Sequence, residues 1–528
     1  MRTLGRTTHI FLIAAAFLAT NMTAATAQER LYRLIELQAA DSGSTKAYAL
    51  NNTGQVVGWM ESDSNRHAGL WHVETTTDLH GTVHFDLEHP YDLFTEGYSE
   101  AYDISNADQI VGTARAEIDC PPSVLITNAF LLRPAVLTDL GSPYAGDALT
   151  NLGTLGHPCL GAWDSVATGI SNSNHVVGWA DREDGLTHAV ITVPDDGQFT
   201  DVDPNTLVND LIVDLGTLWG DTDPISAATA VNDSGVVTGY SYTMATPVGG
   251  ADPRAAYHAF LITPNDTDVD GIGDEWFVDA DADSANDLMQ DLGTLGGYNS
   301  WGRDINNDNQ VVGESDTDPD ESGGYNLTRA FLWQNGTMTD LGALAEDGFS
   351  AALAINDDGV IVGWAGNEDN QRRAFIYDDG EMRDLNDLIC LQTEEGVTFV
   401  PGITLTEARD INEDGWIVGW GDVRSSSSAS RGFLLIPIDP TECEVPEETN
   451  EGSNGGTGTN GSGTNGTGNP IVGTPANLGD GTEDEDASGG APGLAGLCGF
   501  GIVSVMPVML AGLWLMRASV GRRLRRTA

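Results

Sequence analysis

Lysine is almost absent from this chain. Lys46 is the only one in 528 residues, and every other basic side chain is arginine. Basic residues number 23 against 79 acidic ones, a formal net charge of −56. A surface of that sign repels nucleic acid and other polyanions, so no nucleic-acid partner is expected. It suits cations, calcium above all, or a salty medium, although a merely solvated acidic face is the plainer reading. Cysteine is scarce as well. Cys120, Cys159, Cys390, Cys443 and Cys498 include no C-x-x-C pair, which argues against zinc. The ten histidines form no H-E-x-x-H, and there is no G-x-S-x-G elbow and no P-loop. No catalytic residue is therefore assigned, though a site assembled from distant segments stays open.

Against these absences stands one strong signal. A box reading N-x-x-G/N/D followed by V-V-G recurs seven times: at 50–58, 104–112, 170–178, 231–239, 305–313, 355–363 and 411–419. The starts lie 54, 66, 61, 74, 50 and 56 residues apart, so each box belongs to one supersecondary unit stacked on the next. The fourth turn position is Gly54, Asp108, Asn174, Gly235, Asn309, Gly359 or Gly415. These residue types tolerate positive φ and predict a hairpin turn. The Gly ending each V-V-G lies inside a strand and marks a bulge or a close backbone approach. Trp59, Trp179, Trp364 and Trp420 follow four of these glycines, either packing between units or offering rings to a ligand.

A third strand also recurs seven times: HAGLW (67–71), NAFLL (128–132), HAVIT (188–192), HAFLI (258–262), RAFLW (329–333), RAFIY (373–377) and RGFLL (431–435). A fourth is read at 77–80, 138–141, 213–216, 290–293, 339–342 and 383–386, mostly as D-L-G. After RGFLL no such strand follows, whereas LYRLIEL (31–37) stands unpaired before the first box. The two deficits are complementary if the first strand completes the last sheet, as in a ring of sheets closed by hydrogen bonds. The expected fold is all-β, a seven-bladed propeller of four-stranded blades over residues 31–440.

The boxes A/D-I-N-x-x-G-x-V-V-G, then H/R-A-F-L-W, then D-L-G-T-L-G-G resemble the HAF family of bacterial extracellular repeats. The resemblance spans about residues 31–437. It implies an exported or surface protein of repeat structure and implies no activity. The chain departs from the family at the His: His67, His188 and His258 keep it, and Asn128, Arg329, Arg373 and Arg431 replace it. All are hydrogen-bond donors, so donation to a neighbouring blade's backbone explains the exchange better than catalysis does.

The ends give an address. Residues 1–27 read as a secretory signal, with Arg2 and Arg6, the apolar run 10–19 and the cleavage site Ala25-Thr26-Ala27. An exported chain is free to form disulfides, and Cys120–Cys159 and Cys390–Cys443 are the expected pairs, with Cys498 left over. Residues 441–492 form a Gly/Thr/Asn/Ser-rich linker. Residues 493–516 are apolar enough for one transmembrane helix, and the Arg-rich tail 517–528 places the carboxyl end in the cytoplasm. This layout, with Gly489-Gly490 upstream, also resembles bacterial sorting signals, so removal of the tail stays open.

The strongest chemical motif is NDTDVDGIGDEW (265–276). Asp266, Asp268, Asp270 and Asp274, with the carbonyl of Ile272, supply the oxygens a calcium loop needs. It resembles the thrombospondin type 3 loop; Phe277 at the twelfth position excludes an EF-hand. Asp279, Asp281, Asp283 and Asp287 form a weaker second copy. Calcium would order this loop, and a merely acidic loop is the alternative. The insertions 80–99, 114–127, 195–212 and 243–256 are expected to carry binding. Three functions remain in view. The first is a monomeric, membrane-anchored surface propeller binding an external polysaccharide or protein. The second is a secreted polysaccharide hydrolase or lyase with an axial pocket, and the third a purely structural envelope protein.

Overall fold

Each box joins an innermost strand to the next strand outward. In the computed structural model the described residues run from 30 to 443, except 40–42, 63–64, 78–82, 88–90, 94–96, 119–123, 134–148, 156–163, 193–211, 221–224, 246–253, 268–272, 318–326, 392–400 and 427–428. Seven antiparallel sheets follow one another. Their innermost strands are Thr45–Leu50, Ser99–Ile104, Ser165–Ile170, Ser226–Val231, Gly296–Ile305, Ser350–Ile355 and Ile403–Ile411. Each innermost strand packs on the next, and the seventh packs on the first, so the blades close a ring around an axis. The fold is the expected propeller, with no α-helix among the described residues.

The closure is also as expected. Leu31–Leu37 is the outermost strand of blade seven, antiparallel to Ser430–Ile438, with Leu31 opposite Ile438 and Leu37 opposite Gly432. Tyr32 and Leu37 are fully buried there. Cys390 and Cys443 form a disulfide between the end of blade six and the end of blade seven. Cys120, Cys159 and Cys498 lie outside the described residues, as do residues 1–27, the linker beyond Cys443, the apolar segment and the tail. No helix among the described residues is long and apolar enough to cross a membrane.

The core lies between blades. The Phe of the third-strand box is fully buried in blades four to seven, as Phe260, Phe331, Phe375 and Phe433, and packs against the next or preceding sheet. Each such ring contributes about 1.5–3 kcal/mol by leaving water. All seven fourth turn positions have positive φ, from 58° at Asn309 to 84° at Gly54. The strand glycine is a close approach: a Cβ on Gly363 would lie 2.1 Å from the carbonyl oxygen of Ala351.

Hydrogen bonds then join blade to blade. In six junctions a Ser or Thr on the innermost strand accepts the amide of the preceding blade's third strand. The pairs are Ser99 with Ala68, Ser165 with Ala129, Ser226 with Ala189, Ser300 with Ala259, Ser350 with Ala330 and Thr45 with Gly432. The same hydroxyl donates to the D-L-G carbonyl of Gly216, Gly293 or Gly342 in three of them. On the turn face a second ring closes completely. The amide of Asn52 donates to Asn106 Oδ1, and so on through Asn172, Asp233, Asn307, Asp357 and Glu413 back to Asn52.

Two fourth-strand assignments change. In blade one the outermost strand is Tyr91–Asp92, beside Gly69 and Leu70, and Leu93 donates its amide to Ala68 as Leu215 does to Ala189. Thr77 instead ends the stretch Val73–Thr77 that pairs with Val83–Leu87 in an inserted hairpin, and residues 78–80 lie outside the described residues. In blade two the outermost strand is Leu149–Gly153, and residues 138–141 lie outside the described residues. The first D-L after the third strand is the wrong one wherever an insertion intervenes.

Candidate functional site at the propeller axis

The innermost strands align on their Ser or Thr. The register shifts after the third aligned position in all seven blades, making the fourth an extra residue on the axial strand. This column reads Tyr48, Tyr102, Thr168, Thr229, Arg303, Leu353 and Arg409. The second column reads Lys46, Glu100, Val166, Ala227, Trp301, Ala351 and Glu407, and its cross-strand partners include Trp59, Trp179, Tyr240, Glu314, Trp364 and Trp420. The structural boxes repeat; these columns do not.

The result is a charged and aromatic cluster drawn from blades five, six, seven, one and two. The Lys46 ammonium lies 3.9 Å from the Trp420 ring centre, the Arg372 guanidinium 3.9 Å from Trp364, and that of Arg66 4.6 Å from Trp59. Three of the four tryptophans after V-V-G thus seat cations, a role neither sequence reading anticipated. Arg66 pairs with Glu100 at 3.2 Å, and Glu100 also accepts the hydroxyls of Tyr98 and Tyr102 at 2.7 and 2.9 Å. Arg303 pairs with Glu314, while Arg372 and Arg409 share Glu407. Tyr48 stacks on Tyr102 with centres 5.5 Å apart and accepts the Trp59 indole N–H at 3.1 Å. Blades three and four contribute only the neutral Val166, Thr168, Ala227 and Thr229 to the two columns.

Burial governs the chemistry here. It lowers the Lys46 pKa, an effect that Glu407 opposes and Arg409 reinforces. It raises the Tyr48 and Tyr102 hydroxyls well above the ordinary range, with the Glu100 charge adding to it. Phenols held neutral in this way are poor bases. One position further along, Asp103, Asp304 and Asp410 each accept the amide of the next blade's innermost strand, from Ile170, Ile355 and Leu50. Burial pushes Asp304 up to about 7, Asp410 to about 6, and Asp103 well above its ordinary value.

The calcium candidates lie elsewhere, between the third and fourth strands of blade four. Asp268, Asp270 and Ile272 fall outside the described residues. Asp274 turns inward to Thr267, accepting its amide and hydroxyl, and these bonds lower its pKa; Asp266 lies beside this turn. In the second copy, read as the weaker, carboxylate oxygens of Asp279, Asp281 and Asp283 come within 4.8 Å of one another. Asp283 and burial raise the Asp281 pKa. Asp287 accepts the amide of Ala280. Trp276 anchors the excursion by donating to Gly235.

The first residue of the H/R-A-F box mostly meets a carboxylate on its own blade's outermost strand. His188 contacts Asp214 at 2.7 Å and His258 contacts Asp291 at 2.8 Å, while Arg373 faces Asp384 and Arg431 faces Glu36. This corrects the expected donation to a neighbouring blade's backbone. Arg329 donates instead to the carbonyl of Glu346, and Arg373 donates also to that of its own neighbour Arg372. An open depression of about 450 Å³ adjoins the His188 pair, lined by Leu155, Arg182, Glu183, Asp184 and Asp214. Among the described residues its one guanidinium is committed to His188 and Asp184, and no aromatic ring lines it.

The axial cluster is hidden in the sequence because its members are scattered from Lys46 to Trp420 and only its tryptophans share a motif. Two signals were available: the tryptophans after V-V-G, read as packing or as rings for a ligand, and Lys46, the only lysine. Residues 224–463, less than half of the chain, match the model of a family described as a protein of unknown function (DUF3466). No curated protein matches. Among solved structures, the β-propeller domain of the Trilobed protease from Pyrococcus furiosus, with an open velcro topology, is 8% identical with a TM-score of 0.38, covering 77% of this chain and 97% of its own. A puromycin-hydrolysing peptidase from Mycobacterium tuberculosis is 12% identical with a TM-score of 0.35, covering 75% of this chain and 59% of its own. A protein of unknown function from Dyadobacter fermentans is 9% identical with a TM-score of 0.30, covering 78% and 99%. Likenesses this distant carry no argument about chemistry.

Proposed function

We propose that this chain is an exported, membrane-anchored propeller of HAF-type repeats that binds an external polysaccharide or protein at its axis. One observation carries the reading. The only lysine and four arginines of a chain with net charge −56 gather with Trp and Tyr rings around the axis. Arginines seated on tryptophan platforms and still partly open to water are binding chemistry. The raised tyrosines speak against a lyase that needs a phenolate base. The Cys390–Cys443 disulfide fits an oxidising compartment. Binding of the full-length chain to arrays of envelope glycans and proteins tests the proposal. A ligand lost in Trp364→Ala and Trp420→Ala is expected. A ligand indifferent to both, or none at all, sinks it, and turnover of a glycan would favour the hydrolase or lyase.

Calcium is proposed as a structural ligand of Asp279, Asp281 and Asp283, with Asp287 holding the loop. Their converging oxygens support it. Added calcium should raise Tm through binding the native state only, and Asp281→Asn should remove the rise. An equal response in both proteins would rule it out.

A further inference from the structure

The axial charges are not balanced toward water. Lys46, Arg66, Arg303, Arg372 and Arg409 face Glu100, Glu314 and Glu407, with Asp422 acting more weakly on Arg372. The carboxylates are the covered members. Glu407 and Glu100 have side chains 0% and 1% accessible, whereas Arg66, Arg372 and Arg409 are 46%, 28% and 28% accessible. Glu100 is further occupied by two tyrosine hydroxyls, and Glu407 is divided between two guanidinium groups. Lys46 makes no hydrogen bond or ion pair among the described residues; its ammonium rests on an indole face, attracted by Glu407 without touching it and repelled by Arg409, Arg66 and Arg372. Asp103, Asp304 and Asp410 lie one position further along, with oxygens held by backbone amides between blades, and none of them is a direct partner of Lys46.

A partly desolvated cation crowded by other cations is costly unless a ligand completes its coordination. We infer that the axis binds an oxyanion presented singly on an otherwise neutral ligand, with Lys46 as its central donor and Arg409 and Arg372 beside it. This rests on the binding reading above. The rest of the chain sets the restriction to a single charge: an exterior carrying the −56 balance repels a polyanion before it reaches the axis. One uronic acid among neutral sugars has the required chemistry, and an inorganic oxyanion shares it.

The test is calorimetric titration of the full-length chain with a neutral trisaccharide, with the same trisaccharide carrying one glucuronate, and with inorganic sulfate. Glucuronate should confer binding at least about tenfold tighter than the neutral sugar, the scale of one charged hydrogen bond. Lys46→Met should remove that gain and Lys46→Arg restore most of it, while Arg182→Ala, on the blade-three depression, should leave it intact. Melting curves confirm that the Met variant is folded. Sulfate that competes with the glucuronate sugar at Lys46 supports the inference and names a free ion as a second source. Equal affinity for both sugars, or a folded Lys46→Met that retains the gain, overturns it. A neutral ligand lost in Trp364→Ala would then leave the binding reading standing, and no binding of any kind would remove both.

Discussion

Ser350 shows how one hydroxyl joins two blades. It accepts the amide of Ala330 at 2.9 Å and donates to Gly342. Ser350→Ala leaves both backbone groups buried without it, so denaturant unfolding should show a loss of about 1–3 kcal/mol. Asp304 offers a second test at this scale. An ordinary unfolded carboxyl titrates near about 3.9. Burial raises Asp304 to about 7 in the folded protein. The folded state therefore holds the proton more tightly. Its contribution is full below the unfolded pKa and lost as pH climbs through about 7. The acid-side gain in stability should thus be larger in the parent than in Asp304→Asn, measured by melting from about pH 4 to about pH 8. Parallel curves would show that the carboxyl is already ionised.

At the scale of elements, the architecture was legible and the reasons are local. A hairpin turn needs a residue that accepts positive φ, so Gly, Asn and Asp mark all seven turns. A Gly opposite a bulge cannot carry a Cβ, so V-V-G repeats too. The His–Asp pairs were not legible, because the aspartate arrives from a strand 26 or 33 residues away, behind an insertion of unequal length. The axial columns were hidden more deeply: position two is Lys, Glu, Val, Ala, Trp, Ala and Glu in turn, and only the neighbouring Ser or Thr supplies an alignment. Closure by Leu31–Leu37 makes a prediction of its own. Deleting residues 31–37 uncovers the edge of Ser430–Ile438 and the buried pockets of Tyr32 and Leu37, so Tm should fall and unfolding lose cooperativity. Reduction of Cys390–Cys443, 53 residues apart, should cost about 4 kcal/mol on the chain-entropy account, read from unfolding with and without reductant.

For the molecule as a whole, the charge of −56 is a self-repulsion spread over the entire chain. Raising ionic strength from about 0.01 M to about 0.15 M shortens the screening distance from about 30 Å to about 8 Å. Tm should rise over that range, by differential scanning calorimetry, and flatten once screening is complete. A fall would mean that attractive pairs at the axis outweigh the perimeter. The disulfide has a mechanical sense as well. All three strands that blade seven draws from its own repeat lie inside the covalent loop from Cys390 to Cys443. A tensile load entering from the carboxyl side is handed at Cys443 straight to Cys390, and the enclosed segment cannot be drawn out as thread. Under traction, blade seven is bypassed, and the molecule must yield elsewhere first.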